Sequence, residues 1–328
     1  MSELRIAVLD DWQRVAQGVV DWTALSAVGQ VEFLHDYPAD THTMAERLAP
    51  YTVICVMRER TAFSAELLAR LPALKLIVTG GMRNAAIDLA AARAQGVTVC
   101  GGDSYRQAAP ELTWALLMAL NRNLLAEAAS LRNGGWQVGL GGDLAGKTLG
   151  LLGLGNIGGT VAGYAQAFGM QVIAWSEHLT EARAEAVGAR RVSKQELFEQ
   201  ADILSVHLVL SERTRHLVDA QALDSMKRGA LLVNTSRGPI VDEQALLSAL
   251  ESGRLGGAAL DVFDQEPLAI DHPLRSLPNV LATPHIGYVT ENNYRAFFTS
   301  MIENILAWQG GEPIRVLQPA PAAPNDRP

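Results

Sequence analysis

The stretch that decides the fold reads KTLGLLGLGNIG and spans residues 147–158. An apolar strand pattern runs directly into Gly153, Gly155 and Gly158, and a helical pattern follows. Within a strand–turn–helix unit, this G-x-G-x-x-G spacing is the fingerprint of dinucleotide binding. The first glycine permits the tight turn, the second lets a pyrophosphate approach the backbone, and the third lets the helix pack against the strand. The motif therefore predicts a Rossmann domain, in preference to a glycine turn with a purely structural role.

Outward from this motif, short apolar strand patterns alternate with amphipathic helical patterns in both directions. The strand-like runs are RIAVLD, VEFLH, TVICVM, KLIVTG and VTVC before the motif, and QVIAWS, DILSVHLV, ALLVNTS, GGAALDVF and NVLATPH after it. Such alternation predicts parallel sheets that are covered by helices. The predicted fold class is α/β, with two doubly wound parallel sheets.

Three predicted helices carry boundary signals. A long helix is predicted over about 110–131, because its opening proline suits a first helical turn. A second helix begins after Ser193, which has Glu196 three residues on, the signature of a capping box. A last helix covers about 290–309 and ends at two glycines. The tail over 317–328 is rich in proline and alanine and is predicted to be disordered.

Length and composition predict a globular protein of roughly two domains, since the chain has 328 residues. Hydrophobic residues make up 48% and charged residues 19%, which excludes disorder for most of the chain. The apolar runs stay well short of the roughly 18 residues that a membrane span needs. The N-terminus, MSELRIAVLD, lacks the pattern of an export signal. We therefore expect a cytoplasmic protein without a membrane partner.

Charge and cysteine content exclude further classes of protein. The net charge of −8 argues against a nucleic-acid partner, which requires a basic face. Cys55 and Cys100 each end an apolar run, which favours buried thiols in a reducing cytoplasm. Two cysteines cannot build a disulfide framework or a cysteine metal cluster, and no metal site is predicted.

The first strand-to-helix turn of the chain differs from the glycine turn. It reads LDDWQRV over 9–15, contains no glycine and carries Asp10 and Asp11. Its side chains keep a phosphate away from the backbone, and the two carboxylates repel a phosphate. The N-terminal part of the chain is therefore not expected to hold a nucleotide.

The residue after the second Rossmann strand bears on the choice of cofactor. An acidic residue here normally binds the ribose hydroxyl groups. This chain has Ser176, followed by Glu177. No Arg or Lys is adjacent in sequence to hold a 2′-phosphate, and Glu177 repels one. The predicted cofactor is NAD, with NADP as the open alternative.

Three later strand-like runs end in polar residues that suit catalysis. VNTSRG carries Arg237, ALDVFDQEP carries Asp261, Asp264 and Glu266, and LATPHIG carries His285. In an open parallel sheet the carboxyl ends of the strands face the ligand. Arginine binds a carboxylate with two hydrogen bonds, and a histidine oriented by a carboxylate transfers protons. Beside a nicotinamide, these groups predict an oxidoreductase that acts on a small organic acid.

Structural interpretations of the same residues stay open. Arg237 can form a surface ion pair, and His285 can be a buried turn histidine. His207, near the end of DILSVHLV, can face the cofactor or serve a structural role. The other five histidines are assigned to solvated or structural positions: His35, His42, His178, His216 and His272.

Four motifs in order resemble the signatures of the D-isomer-specific 2-hydroxyacid dehydrogenase family: GLLGLGNIG, NTSRGPIVDE, ALDVFDQEPL and LATPHIG. The resemblance covers nearly the whole chain. It implies a substrate domain of the flavodoxin-like type over 1–102, a Rossmann domain inserted over 103–285, and a return to the substrate domain over 286–328 with the last helix and the tail. It also implies an active site in the cleft between the domains and a homodimer formed through the cofactor domain.

The same resemblance implies roles for particular residues. Arg237, Glu266 and His285 form the catalytic set. The implied cofactor-binding residues are Gly153, Gly155, Asn156, Ile157, Gly158, Ser176, Leu208, Thr235, Asp261 and Gly287. The implied substrate-binding residues are Met82, Arg83, Asn84 and Arg58. Hydride then passes between NAD(P)H and a small D-2-hydroxy acid or 2-keto acid, with reduction as the more frequent direction.

Several alternatives stay open at this point. The substrate can be glyoxylate, hydroxypyruvate or a 3-phosphoglycerate-like acid, and Arg83 can either contact it or point to solvent. Tyr288 stands where Gly or Ser is common in the family, so it can narrow the pocket. A phosphite-type dehydrogenase and an NAD-sensing, corepressor-like interaction protein are the rival functions. A formate dehydrogenase is disfavoured, because Glu266 stands where that class has Gln.

Overall fold

The computed structural model describes residues 3–36 and 40–319. The chain divides into two compact units, which we name unit 1 and unit 2. Unit 1 comprises Met1–Tyr105 and Val289–Pro328, and unit 2 comprises Arg106–Tyr288. The sequence analysis places these two domain boundaries after residues 102 and 285. Residues 320–328 of the tail that is predicted to be disordered lie outside the described residues.

The secondary structure alternates between strands and helices along the described residues. The strands are β1 Leu4–Val8, β2 Gly29–Phe33, β3 Val53–Val56, β4 Leu76–Thr79, β5 Thr98–Cys100, β6 Thr148–Leu152, β7 Gln171–Trp175, β8 Arg190–Arg191, β9 Ile203–Val206, β10 Leu231–Asn234, β11 Gly257–Leu260 and β12 Val280–Ala282. The α-helices are α1 Ala16–Val19, α2 Thr41–Leu48, α3 Ala65–Ala69, α4 Leu89–Ala94, α5 Ala108–Asn121, α6 Leu124–Arg132, α7 Asn156–Ala167, α8 Glu181–Glu185, α9 Lys194–Gln200, α10 Ala220–Ser225, α11 Glu243–Glu251 and α12 Glu291–Gln309.

Unit 1 contains a five-stranded parallel sheet with the strand order β2-β1-β3-β4-β5. This is the flavodoxin-like order, in which the direction of winding reverses between β1 and β3. Strands β3 and β4 are buried along their whole length, as expected for strands covered by helices on both faces. Helix α12 returns to this unit and packs against β4.

Unit 2 contains a seven-stranded parallel sheet with the order β12-β11-β10-β9-β6-β7-β8. Counted from β6, this is the Rossmann order 3-2-1-4-5-6 with one further strand, and β6 lies at the point where the winding reverses. Adjacent residues of β6, such as Leu151 and Leu152, belong to different apolar clusters. Both faces of the sheet are therefore covered, and the predicted fold class is confirmed.

The helix predictions are confirmed in two cases and wrong in one. Ser193 and Glu196 form the predicted capping box at the start of α9, and α12 ends at Gly310 as expected. The single long helix over 110–131 is wrong, because the chain forms α5 and α6 with a break between them. Asn123 adopts a left-handed conformation with φ of 53°, which an α-helix cannot contain.

Two further sequence expectations concern the cysteines and membrane spans. Cys55 and Cys100 are both buried thiols, as predicted. Among the described residues, no helix is both long enough and apolar enough to cross a membrane.

Candidate active site

The glycine turn of unit 2 joins β6 to α7. Gly153 has φ of +104°, and a side chain there would meet the carbonyl oxygen of His207 at 2.7 Å. A side chain at Gly158 would overlap the carbonyl oxygen of Gly153. At Gly155, by contrast, an added Cβ would meet nothing within 4 Å among the described residues. The backbone therefore requires glycine at two positions and leaves open space at the third.

The N-terminus of α7 is suited to binding an anion. Helix α7 begins at Asn156, and no side chain of the described residues caps it, because its N-cap residue is Gly155. The first N–H groups of a helix have no partner within the helix and carry its positive dipole end. The turn therefore fits a dinucleotide pyrophosphate, with the backbone of Asn156 and Ile157 in the first helical turn.

His207 lies beneath this turn and is half-buried. Its Nε2 atom is 2.9 Å from the hydroxyl of Ser205, and burial lowers the pKa of His207 to about 4. Its ring faces Gly158, where an added Cβ would lie 3.6 Å from the ring. Since sequence reasoning left its role open, this position favours a structural role in supporting the glycine turn.

The two residues predicted on the adenosine side follow β7 and β9. Ser176 is half-buried directly after β7, and Glu177 beside it is exposed. Leu208 is half-buried, and its side chain packs against the backbone at Gly153. The carbonyl oxygen of Leu208 accepts a hydrogen bond from the Ser236 hydroxyl. The loop after β9 is therefore tied to the loop after β10.

Arg237 lies on the turn after β10. The Asn234 side chain shapes this turn, because it donates to the Arg237 carbonyl oxygen at 3.0 Å and accepts from the Ser236 N–H at 3.0 Å. The guanidinium of Arg237 donates to the Ser236 carbonyl oxygen at 2.7 Å. At Gly238 a side chain would overlap the backbone of Phe263. The Arg237 turn therefore packs backbone to backbone on the loop that carries Glu266.

Glu266 and His285 form a hydrogen-bonded pair. The Glu266 Oε1 atom accepts the Phe263 N–H at 2.9 Å, and Oε2 lies 2.6 Å from Nδ1 of His285. Because a carboxylate only accepts, Nδ1 carries the proton, and Nε2 is left to exchange a proton with a ligand. The Tyr288 ring meets the His285 ring edge-on at 5.7 Å between centroids.

Asp261 organises the turn that presents His285. The Asp261 side chain is fully buried. Its Oδ1 atom accepts from the Thr283 hydroxyl at 2.6 Å and from the Ile286 N–H at 2.8 Å. Its Oδ2 atom accepts from the Gly287 N–H at 2.8 Å. Burial raises the pKa of Asp261, and these hydrogen bonds oppose the rise. His285 itself has φ of +51°. The family resemblance implies that Asp261 lies near the nicotinamide, and sequence reasoning missed its contacts with the His285 turn.

Thr235 makes a contact that sequence reasoning missed. Its hydroxyl lies 2.6 Å from the hydroxyl of Thr113, a buried residue of α5. The Thr113 hydroxyl donates to the Ala109 carbonyl oxygen at 2.8 Å, so it can only accept from Thr235. The Thr235 oxygen is then an acceptor toward further donors. A threonine inside a helix gives no sequence signal for such a role.

The predicted substrate loop follows β4 in unit 1. Asn84 is buried, and its amide donates to the Arg58 carbonyl oxygen at 2.7 Å and to the Thr79 hydroxyl at 2.9 Å. Its oxygen accepts from the Ala86 N–H at 2.9 Å. These internal bonds favour a role for Asn84 in shaping the loop. Met82 and Arg83 are exposed.

Arg58 lies against the same loop. It has φ of +56°, and its Nε atom is 3.3 Å from Glu59. Its guanidinium covers Gly81, where an added Cβ would overlap it. The positive charge of Arg58 therefore lies over the backbone of the loop.

The carboxyl ends of four strands of unit 2 thus carry the glycine turn, Arg237, Glu266 and His285. An uncapped helix start, an arginine and a carboxylate-paired histidine at one sheet edge define a dinucleotide-binding α/β protein with an acid–base group. Residues 114–287 match the family model described as "D-isomer specific 2-hydroxyacid dehydrogenase, NAD binding domain". The chain belongs to the D-isomer specific 2-hydroxyacid dehydrogenase family, a family of oxidoreductases.

Curated relatives and a solved structure agree with this assignment. The chain is 35% identical over 307 residues to D-3-phosphoglycerate dehydrogenase of Methanocaldococcus jannaschii. This match covers 92% of this chain and 58% of that protein. It is 32% identical over 309 residues to glycerate dehydrogenase of Methylorubrum extorquens, with coverage of 89% and 95%. The crystal structure of phosphoglycerate oxidoreductase from Vibrio cholerae has a TM-score of 0.90 and 38% identity, with coverage of 94% and 99%.

Proposed function

We propose that this protein is an NAD(P)-dependent dehydrogenase that interconverts small D-2-hydroxy acids and 2-keto acids, mainly in the direction of reduction. The observation that carries the proposal is the 2.6 Å pair of Glu266 and His285 at the sheet edge that also bears the uncapped glycine turn. A bound nicotinamide supplies or accepts the hydride at the C2 atom of the substrate.

Residues of unit 2 hold the cofactor in this proposal. The glycines and the first N–H groups of α7 bind the pyrophosphate, because the helix start is uncapped and the space at Gly155 is open. Ser176 and Leu208 border the adenosine side. Thr235, Asp261 and Gly287 border the nicotinamide side, where the oxygen of Thr235 accepts from a carboxamide N–H.

His285 and Arg237 act on the substrate. In reduction, Nε2 of His285 gives its proton to the carbonyl oxygen, while Glu266 holds Nδ1 and stabilises the charged ring. Arg237 binds the substrate carboxylate through two hydrogen bonds. In oxidation the same histidine takes the hydroxyl proton.

Within unit 1, we assign substrate binding to the loop after β4. Its backbone amides bind the substrate carboxylate, while Met82, Arg83 and Arg58 contact the far end of the substrate. Asn84 keeps the loop in shape through its three internal hydrogen bonds. Relatives named for 3-phosphoglycerate and for glycerate support a short acid with a polar far end.

We assign NAD as the preferred cofactor, with NADP as the weaker one. Glu177 is exposed directly after Ser176, and its carboxylate repels a 2′-phosphate on the adenosine ribose. The measurement is the Kd of NADH against NADPH, with Glu177→Gln as the variant. We expect the variant to bind NADPH more tightly and NADH about as before.

We further propose that the active form is a cytoplasmic homodimer that pairs through unit 2. Large apolar side chains are exposed on α6 and the loop that follows it: Leu124, Leu125, Leu131, Trp136, Val138 and Leu140. Leu140 is fully exposed and Trp136 is 74% exposed, and such patches mark interaction sites. Light scattering should show a dimer that Trp136→Glu weakens.

The test of the activity is reduced-nicotinamide absorbance with glyoxylate, hydroxypyruvate, pyruvate and phosphohydroxypyruvate. We expect turnover with at least one of them. Arg237→Ala should lower kcat/KM about a hundredfold or more while NADH still binds, since a lost charge-assisted clamp is worth several kcal/mol. Tight NADH binding without turnover would favour a sensing protein, and oxidation of phosphite alone would favour the phosphite-type enzyme.

A further inference from the structure

The loop between β11 and β12 carries Glu266 and is braced from within. The Arg275 side chain donates to the carbonyl oxygens of Ala269 at 2.7 Å and Leu268 at 2.6 Å. The Arg275 N–H also donates to the His272 carbonyl oxygen at 3.0 Å. These bonds tie the second half of the loop to its middle.

The loop packs on buried apolar side chains and borders a small cleft. This cleft is open to solvent and lies between the loop, α11 and the ends of β10 and β11. Its walls include Leu246, Phe263 and Leu274, together with the carboxylates of Glu243 and Asp264. Close packing normally holds a segment in one position. A polar contact at the edge of this cleft adds a further restraint on the loop that carries Glu266.

His272 supplies that restraint. Its Nε2 atom is 3.1 Å from Oε1 of Glu243, and its Nδ1 atom accepts the Leu274 N–H at 3.3 Å. The side chains of His272 and Glu243 are 19% and 25% exposed, so solvent screens the contact only in part. Because Nδ1 accepts, Nε2 carries the proton and donates to Glu243. Both ring nitrogens of His272 are therefore in use.

Glu243 lies at the first position of α11, immediately after the N-cap residue Asp242. The chain segment that leads into Asp242 is the turn that contains Arg237 and Gly238. The contact of His272 with Glu243 therefore joins the loop that carries Glu266 to the helix that continues the Arg237 turn. It reinforces the backbone contact between Gly238 and Phe263.

We propose that His272 and Glu243 are positioning residues that fix the separation between Arg237 and the Glu266–His285 pair. This inference rests on the proposed dehydrogenase function. We assign neither residue a contact with substrate or cofactor. They act by holding two loops in register, which matters because a misplacement of about 1 Å in an active site can lower the rate about a hundredfold.

Other charged groups surround the contact without replacing it. Asp264 faces Glu243, Asp242, His216 and Arg215. Burial is the main cause that raises the pKa of Asp264, and the carboxylate of Glu243 adds to the rise. The nearest other histidine contact is His216 with Asp242, at 4.0 Å. It joins the segment before α10 to α11 and does not involve the Glu266 loop.

The test uses two substitutions in full-length protein. His272→Asn keeps an acceptor for the Leu274 N–H, since Asn is a good helix N-cap residue, but is too short to reach Glu243. Glu243→Gln keeps an acceptor for His272. We expect His272→Asn to lower kcat for keto-acid reduction about tenfold with little change in the Kd of NADH. We expect Glu243→Gln to stay within about threefold of wild type.

A second readout does not depend on turnover. The Nδ1 proton of His285, held in a 2.6 Å hydrogen bond, should give a downfield proton resonance by NMR. We expect this resonance to broaden through faster solvent exchange in His272→Asn and to persist in Glu243→Gln. The matched control is His42→Asn, which removes the exposed contact of His42 with Glu46 at 3.2 Å in unit 1.

Two outcomes would overturn the proposal. One is a His272→Asn protein with wild-type kcat and a wild-type His285 resonance. The other is a lower Tm with that resonance unchanged, which would make the contact a stabilising one only. If the wild type reduces no keto acid, the proposed function fails, but the resonance still decides whether His272 positions the pair.

Discussion

Each unit begins its sheet with a strand-to-helix turn, and the two turns have opposite chemistry. In unit 2 no side chain of the described residues caps the start of α7, and an added Cβ at Gly155 would meet none of them within 4 Å. In unit 1 the Asp11 carboxylate accepts the N–H groups of Val15 at 2.9 Å and Ala16 at 3.2 Å. The helix start of unit 1 therefore already holds an anion, which belongs to the chain itself.

Asp10 adds a second obstacle to an anion in unit 1. It is buried with φ of +60°, and the Thr61 hydroxyl donates to its carboxylate at 2.9 Å. Burial raises the pKa of Asp10 to about 6, although Thr61 and the nearby Arg60 oppose the rise. Both doubly wound sheets have a potential ligand site at the carboxyl end of the first strand. The residues of the strand-to-helix turn determine whether an anion can bind there.

The largest effect should come from placing a carboxylate, as found in the turn of unit 1, in the glycine turn of unit 2. In Gly155→Asp the new side chain enters open space among the described residues, so the unit keeps its fold. A carboxylate then lies where we propose that the pyrophosphate binds, and like charges brought together cost several kcal/mol. We expect NADH affinity, measured by calorimetry, to fall about a thousandfold.

Gly163→Asp is the matched control for that variant. It adds the same charge about two turns further along α7, where an added Cβ also meets nothing within 4 Å among the described residues. NADH affinity should there stay within about threefold of wild type. Equal losses in both variants would show that net charge, and not the turn, controls binding.

The second prediction concerns acid sensitivity of unit 2. The pKa of half-buried His207 is about 4, against an ordinary value of 6.5. Between these pH values the unfolded chain binds more protons, so stability falls as pH falls, by roughly 3 kcal/mol in total. Hydrogen exchange read on peptides of unit 2 should show this loss. His207→Gln should reduce the pH dependence, and exposed His178→Gln should leave it unchanged.

The third prediction has the opposite sign and concerns unit 1. The pKa of Asp10 is about 6, above its ordinary 3.8. Between these values the folded unit holds a proton that the unfolded chain has lost, so stability falls as pH rises. Asp10→Asn suits a positive φ and should stabilise unit 1 by about 2 kcal/mol at pH above 7. At pH below 3.8 the variant and wild type should converge; a constant difference would contradict the assignment.

The smallest effect should come from the capping carboxylate of unit 1. Asp11→Ala leaves the N–H groups of Val15 and Ala16 without their acceptor. We expect a loss of about 1 kcal/mol in the stability of unit 1, the usual value for a lost cap. Urea unfolding followed by hydrogen exchange measures it. Asp11→Asn keeps an acceptor and should lie near wild type, whereas an equal loss would assign the effect to the charge of Asp11.

Local signals in the sequence were sufficient where neighbouring residues determine the structure. The glycine spacing at 153–158, the capping box of Ser193 and Glu196, and the period of the apolar strands each involve residues close in the chain. The break between α5 and α6 has only a weak local signal, Asn-Arg-Asn at 121–123. A left-handed Asn is permitted there but not required, so the pattern favoured one continuous helix.

The parts of the candidate site that depend on distant residues could not be predicted. The contact of Thr113 with Thr235 joins residues 122 positions apart. The clamp of Asp261 on the turn at 283–287 depends on the register of β11 and β12. His272 contacts Glu243 across 29 positions. In each case the tertiary arrangement of the sheet edge, which no local pattern encodes, brings the partners together.

The left-handed backbone at His285 has a consequence for selection experiments. Such a φ costs a residue other than glycine about 1 kcal/mol or more, and Asn and Gly tolerate it best. In a library at this position scored by cellular abundance, Asn and Gly should outrank the native residue. In the same library scored by turnover, His should stand alone. The difference between the two rankings measures the stability that is lost by keeping histidine at this position for its proposed role in catalysis.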